Sequence, residues 1–243
     1  KAQAADLAKT TPALSILSHS IHGNEPAGFE TSMMTAYTLL ASESPQVKAI
    51  LDNTITIINP SQNPDGHERF AAWSNSVAVG SEEPAALEGG EPWSIAGRFN
   101  HYRFDMNRDL IALSQAETKA TAGAVRRWHP QVFVDLHSTT AQYFFPPAAA
   151  PINQLVPLAS VKWLEAFGKG NADAFDRQNW PYFVRDVFDL HYAGYWDSWP
   201  SLLGATGMTF ETDGGPKLAL RKDDGTITTF RDGIAHHFVA SMA

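Results

Sequence analysis

Ser18-His19-Ser20-Ile21-His22-Gly23-Asn24-Glu25-Pro26-Ala27-Gly28 is the stretch whose reading decides the fold. It follows a short apolar run holding Leu14, Ile16 and Leu17. It leads into residues 26–41, where Phe29, Met33, Met34, Tyr37 and Leu40 recur at helical spacing. A strand therefore ends here and a helix begins, with His22 and Glu25 three residues apart in the turn between them. A neutral imidazole and a carboxylate so placed can both reach one small divalent cation such as zinc. Alone, the same pair also fits a polar strand end that binds nothing, so the rest of the chain has to decide.

Working outward, residues 45–51 read as a short helix, and Thr54-Ile55-Thr56-Ile57-Ile58 is a β-branched run of the kind that makes an interior strand. Strand, helix, strand in that order implies a right-handed crossover in a largely parallel sheet. Residues 132–137 and 207–211 read as two further buried strands, each ending in a chemically active residue, His137 and Glu211. Residues 59–66 are dense in turn formers and read as loop, continued by a long rim over 74–97. Residues 114–128 read as a helix with Ser114 and Glu117 at capping-box spacing. Residues 143–157 read as a proline-rich loop, and 161–175 as a helix broken around Gly168 and Gly170. The aromatic-rich segment 180–199 reads as irregular, and a helix over 230–242 closes the chain after a turn at 223–225. No internal repeat or linker interrupts the pattern, which favours one α/β domain.

Composition narrows the function. Of 243 residues, 44% are hydrophobic and 11% aromatic, enough for a real core. The net charge of −8 with no basic block argues against nucleic acid as a partner. No apolar run approaches the ~20 residues of a membrane helix, and no signal-peptide pattern stands at Lys1. The chain has no cysteine, so any metal has to be held by histidines and carboxylates.

The active residues gather at the carboxyl ends of the apolar strands or just after them: His22 and Glu25, the stretch 63–69, His137 and Glu211. In open α/β sheets that edge is where ligands bind. In combination, the pieces His22-Gly23-Asn24-Glu25, Asn63-Pro64-Asp65-Gly66, Asn107-Arg108, Asp135-Leu136-His137 and Thr209-Phe210-Glu211 resemble the zinc carboxypeptidases of the carboxypeptidase A type, in the family's own order. The resemblance spans about residues 13–215. It implies a mixed, mostly parallel central sheet with helices on both faces, forming a single zinc-peptidase domain over 1–243.

Carried over position by position, the resemblance implies that His22, Glu25 and His137 bind one zinc ion and leave a fourth position for water. Such an ion lowers the pKa of its water and polarises the scissile carbonyl. Glu211 matches the general base. Asn107 and Arg108 match the pair that grips the terminal carboxylate, a task that suits the planar guanidinium fork. Arg98, nine residues before Asn107, is the expected oxyanion stabiliser, with Arg69 as its rival; Arg103 is expected to pair with acids on the rim.

The match thins over 189–197. Strict register puts Asp189 where the family's mobile tyrosine stands, leaving Tyr192 or Tyr195 to serve; Gly194 and Asp197 align. Trp196 falls where the family sets the depth of its specificity pocket, and with no acid at that position basic C-terminal residues are not expected to be preferred. His19 and His101 are expected near the site, where they could orient its ligands; His236-His237 sit in the closing helix, far along the chain. Only about a dozen residues precede the first matched strand, where the family usually carries an antiparallel edge hairpin. The expectation is therefore the peptidase domain of a larger bacterial protein whose edge strands are absent here. Relatives point to secretion or the periplasm. The expected partner is a peptide with a free C-terminal carboxylate. The alternatives are a zinc amidohydrolase of N-acyl amino acids or cell-wall peptides, and a non-catalytic peptide-binding domain.

Overall fold

A computed structural model describes residues 2–77, 91–215, 217 and 219–243. In chain order its elements are α1 (Ala2–Leu7), β1 (Ala13–His19), α2 (Ala27–Ala41), α3 (Pro45–Asn53), β2 (Thr54–Asn59) and α4 (Pro64–Val77). A single 3-10 turn (Met106–Arg108) precedes α5 (Ala116–Trp128), β3 (Val132–Thr140), β4 (Tyr143–Phe144), β5 (Ala149–Ile152) and α6 (Leu158–Asp176). Then come β6 (Tyr182–Phe183), β7 (Asp189–Leu190), α7 (Ser198–Leu202), β8 (Thr206–Asp213), the hairpin β9 (Ala219–Arg221) and β10 (Ile227–Thr229), and α8 (Phe230–Met242).

The main sheet runs β2-β1-β3-β8-β4-β6. Its first four strands are parallel, and β4 pairs antiparallel to β8, so the sheet is mixed and mostly parallel. Strand residues alternate between faces, and here both faces are apolar. Leu17, Val134, Leu136, Met208 and Phe210 pack with Leu164 and Phe175 of α6 and Ala240 of α8. Leu14, Ile16 and Phe133 pack on the other side with Ala122 and Val125 of α5 and with Trp196. Burial on both faces is what a parallel sheet requires.

From β1 the chain passes first to one side, to β2, and later to the other, to β3. The carboxyl ends of β1 and β3 therefore flank the point where the winding reverses, the crevice in which such sheets bind ligands.

Several local expectations change. β2, expected as an interior strand, is the edge strand of the main sheet, with Ile55 exposed. The segment 143–157, expected as a proline-rich loop, carries β4, which pairs with β8, and β5. The segment 59–66 is not all loop: Pro64 opens α4, with the Gly66 N–H donating to Asn63 Oδ1 at 2.9 Å, and Phe70 anchors the helix in the core. The remainder of the expected rim, 78–90, lies outside the described residues. The expected break in α6 is absent. Gly168 instead lets the helix run against the Pro146 backbone, where a Cβ would collide with the Pro146 carbonyl oxygen. At α5 no capping box forms; the Asp109 carboxylate accepts from Ser114 N–H, Ser114 Oγ–H and Gln115 N–H.

Candidate metal centre and cleft

Two parallel strands place the first pieces. His137 of β3 stands directly beside Glu211 of β8 in the register. His22 and Glu25 lie in the turn after β1, which the Glu25 N–H closes by donating to the His22 carbonyl at 3.1 Å. His22, Glu25 and His137 are all buried, and one ligand atom from each lies within 4.8 Å of the others. Both imidazoles turn Nδ1 to the Glu25 carboxylate, at 2.8 Å for His22 and 3.0 Å for His137. Both turn Nε2 to an aspartate, Asp105 at 3.1 Å and Asp135 at 2.7 Å. An aspartate on Nε2 fixes the tautomer that leaves Nδ1 free to ligate.

The charges fit a cation. Burial works against ionising His137, yet the carboxylates of Asp135 and Glu25 outweigh it and hold the ring well above its usual range. Burial likewise opposes ionising Glu25, and the two histidines overcome it and hold the acid well below its usual value. Asp105 is held down in the same way by His22, Arg98 and Arg108. The proton held on His137 thus supplies positive charge where a divalent ion would bring its own. Two nitrogens and a carboxylate oxygen are zinc's preferred ligand types in an open site.

Around this cluster lies a cleft of about 300 Å³, whose walls include Arg98, Asn107, Arg108, Tyr195, Asp197 and Glu211. Glu211 Oε2 accepts from the Thr139 N–H at 2.9 Å and from Thr139 Oγ–H at 2.7 Å. Burial and the neighbouring Glu25 push the Glu211 carboxyl up to about 7, against the pull of His137 and Thr139. Arg98 bonds Asp105 through Nε at 3.0 Å and Nη2 at 2.9 Å, and its Nη1 lies 3.6 Å from Glu25. Asn107 Oδ1 accepts from the Trp196 N–H at 2.9 Å. Arg108 lies over the Tyr195 ring, 4.5 Å from its centroid.

A profile of the zinc carboxypeptidases matches residues 8–179. This chain belongs to the zinc carboxypeptidase family. It is 28% identical over 131 residues to the probable carboxypeptidase 2 of Trichophyton verrucosum, a match covering 54% of this chain and 20% of that protein. It is 29% identical over 150 residues to mouse carboxypeptidase Z, covering 60% of this chain and 19% of that one. The chain thus spans about a fifth of the curated relatives it matches. A metallo-carboxypeptidase from Burkholderia cenocepacia has the same fold, with a TM-score of 0.67 and 14% identity over 95% of this chain and 55% of that one. The carboxypeptidase A of Helicoverpa armigera superposes at 0.62 with 16% identity, covering 98% of this chain and 64% of that one.

Not every residue singled out in the sequence reaches the cleft of this family member. Trp196 is fully buried and stacks on Phe133 with centroids 5.2 Å apart, so the core, not the cleft, receives its indole. Asp197, expected at the substrate, does line the cleft, and so does Asp189, so the wall carries two carboxylates although position 196 itself holds no acid. Asp197 is buried, which pushes its carboxyl up to about 6 despite hydrogen bonds from Thr209 and Ser198. Tyr192 stands outside, its ring edge-on to Tyr195 at 4.9 Å. Arg69 spends its guanidinium on the carbonyls of Ile95, Ala96, Phe99 and Asn100, and Arg103 reaches the Ile95 carbonyl. Of the three, Arg98 alone lines the cleft.

His19 is a buried neutral ring, pushed down to about 4 by desolvation, and His101 is an exposed partner of Asp65 at 3.7 Å. The sequence reading gave no role to Asp105, Asp135, Thr139 or His237. His237 Nε2 donates to the His137 carbonyl at 2.8 Å and its Nδ1 faces the Tyr143 hydroxyl at 2.8 Å. Burial pushes this ring down to about 3, so it is neutral, and it braces the strand that carries His137. The i, i+2 spacing of Asp135 and His137 on one strand face was a usable signal for Asp135. His237, a hundred residues from its partner, left none.

Proposed function

We propose that this chain is a zinc metallocarboxypeptidase domain that hydrolyses the last peptide bond of substrates bearing a free C-terminal carboxylate. The observation that carries the reading is one cleft containing a three-donor metal cluster, a carboxylate with a free oxygen beside it, and Arg108 further along. His22, Glu25 and His137 would hold the ion, with Asp105 and Asp135 keeping both rings turned inward. When bound, zinc supplies a Lewis acid that polarises the scissile carbonyl and acidifies its water.

The chain's own residues do the rest. Glu211, with Oε2 tied to Thr139, takes the proton of the attacking water on its other oxygen and passes it to the leaving amine. Burial raises this carboxyl above the ordinary carboxylate range, which suits a group that both takes and returns a proton. Arg98 donates to the oxyanion of the tetrahedral intermediate. Asn107 and Arg108 receive the terminal carboxylate, and Asp197 shapes the wall behind it. That clamp would confine cleavage to the chain end.

Mass spectrometry of a mixed peptide pool, with and without a chelator, tests this. Loss of single C-terminal residues, stopped by chelator and restored by zinc, is expected. Intact peptides alongside hydrolysed N-acyl amino acids would transfer the same site to an amidohydrolase. Intact substrates of both kinds in the zinc-loaded protein would leave a binding domain.

A further inference from the structure

Tyr195 takes no part in the chemistry above, yet it touches the residue assigned to hold the substrate's carboxylate. Arg108 Nη1 donates to the Asn107 carbonyl at 2.8 Å, and its Cζ sits 4.5 Å from the centre of the Tyr195 ring. A ring face attracts a cation through its quadrupole and leaves the guanidinium's N–H edge unused, because all five donors lie in the guanidinium plane. A carboxylate partner would hold Arg108 as firmly but would occupy those donors and neutralise the charge.

The loop that presents the ring is itself fixed. The Tyr195 N–H donates to the Tyr192 carbonyl at 3.2 Å, and the Tyr195 carbonyl accepts from the Trp199 N–H at 2.9 Å. The Tyr192 ring packs edge-on to Tyr195 and fills the space a side chain at Gly194 would need. The next N–H along, that of Trp196, donates to Asn107 Oδ1. One short loop therefore secures both members of the Asn107-Arg108 pair, Asn107 through a backbone donor and Arg108 through a ring.

We propose that Tyr195 is a positioning residue for the carboxylate clamp: it holds the Arg108 guanidinium flat with its fork open to the substrate, as a fixed shelf and not as a closing lid. This rests on the reading of Arg108 as the carboxylate-binding arginine, so the test includes a readout that needs no turnover. The zinc-loaded chain and its Tyr195→Phe, Tyr195→Leu and Tyr195→Met variants are compared in two assays. One measures KM and kcat on a peptide with a free C-terminus. The other is calorimetric binding of N-acetyl-phenylalanine and of its amide.

Tyr195→Leu should raise KM, and weaken binding of the acid, roughly three- to tenfold. Its kcat should stay within about twofold, and binding of the amide should not change. Tyr195→Phe should match the parent. Tyr195→Met supplies the same comparison should the Leu variant fold poorly. Unchanged acid binding in the non-aromatic variants overturns the proposal. So does a fall in kcat at constant KM, or a Phe variant that behaves like Leu. A parent that prefers the acid to the amide, and loses that preference in Tyr195→Leu, supports the shelf even if it cuts no peptide; that outcome would remove the proposed function alone. A parent that does not distinguish acid from amide removes the shelf.

Discussion

Asp135→Asn is the perturbation that asks most of the metal-centre reading. Asp135 is fully buried, and its Oδ2 lies 2.7 Å from His137 Nε2 and 3.3 Å from Asn107 Nδ2, while Oδ1 accepts from Gln62 Nε2 at 3.0 Å. Three donors converge on one acid that has no proton to give, so the network assigns the proton of neutral His137 to Nε2 and leaves Nδ1 free to ligate. An asparagine keeps the shape but brings a donor into a ring of donors. If its NH₂ faces His137, the ring must switch tautomer and Nδ1 loses its lone pair. If its oxygen faces His137, the NH₂ opposes Gln62 and the charge is gone in either case. Loss of such a partner costs 10- to 100-fold in metal affinity, or about 1.4–2.8 kcal/mol. Competition for zinc against a chromophoric chelator measures it, with a thermal melt of the metal-free protein as a control for folding. Affinity within about twofold of the parent would refute the claim that Asp135 sets the His137 tautomer.

Glu211→Gln should keep its zinc and lose roughly 10²- to 10⁴-fold in kcat; metal analysis with initial rates decides, and retained turnover would exclude Glu211 as the base. The same variant carries a pH signature in the metal-free protein. Glu211 sits at about 7 against an ordinary 4.5, so the folded state keeps a proton that the unfolded chain gives up. That contribution is fully present below the ordinary value and is lost as pH rises through about 7. Relative to the parent, Glu211→Gln should therefore gain stability between about pH 5 and pH 8 in denaturant melts, and a flat difference would contradict the shift. Gly168→Ala should destabilise by about 1–3 kcal/mol, because the new methyl meets the Pro146 backbone; unchanged urea unfolding would show that α6 can move away. Trp196→Phe should lower stability while leaving C-terminal residue preference alone, since the indole packs on Phe133 away from the cleft. A changed preference in a peptide-pool digest would restore Trp196 to the pocket.

How much of this the sequence disclosed follows the range of the forces involved. β1, β3 and β8 were legible because buried parallel strands read as apolar runs; β2 gave the same β-branched signal although it is a half-exposed edge strand. His22, Glu25, His137 and Glu211 were legible because each stands at or just after such a run, whereas Arg98, Asn107 and Arg108 rested on the family resemblance alone. The helix at Pro64 was hidden because Asn, Pro, Asp and Gly are turn formers and helix starters alike; Phe70, anchored in the core, is what tips the segment to helix. Gly168 read as a breaker because its reason, the Pro146 carbonyl beside it, is a tertiary contact. Trp196 matched the position of a pocket residue, yet period and spacing cannot say on which side of the backbone an indole lies in an irregular loop. Arg69 and Arg98 are equivalent by charge; only the carbonyl cage around Arg69 separates them.

The same geometry explains why a cation belongs where it does. Glu25, Asp135 and Glu211 are almost wholly buried and Asp105 largely so, about two imidazoles, and Arg98 is the guanidinium in salt-bridge contact with them. Burying that many carboxylates is costly unless positive charge accompanies them. Without metal the His137 ring meets the cost by holding a proton, and Glu211 meets it by keeping its own. A divalent ion held by His22, Glu25 and His137 would relieve all of them at once. It would take over the charge, let His137 be a neutral ligand, and draw Glu211 towards its ionised form. Metal binding should therefore release protons and pull the Glu211 titration down. Potentiometric titration on adding zinc at neutral pH reads both effects, and zinc uptake with no proton release would refute this account of the charge balance.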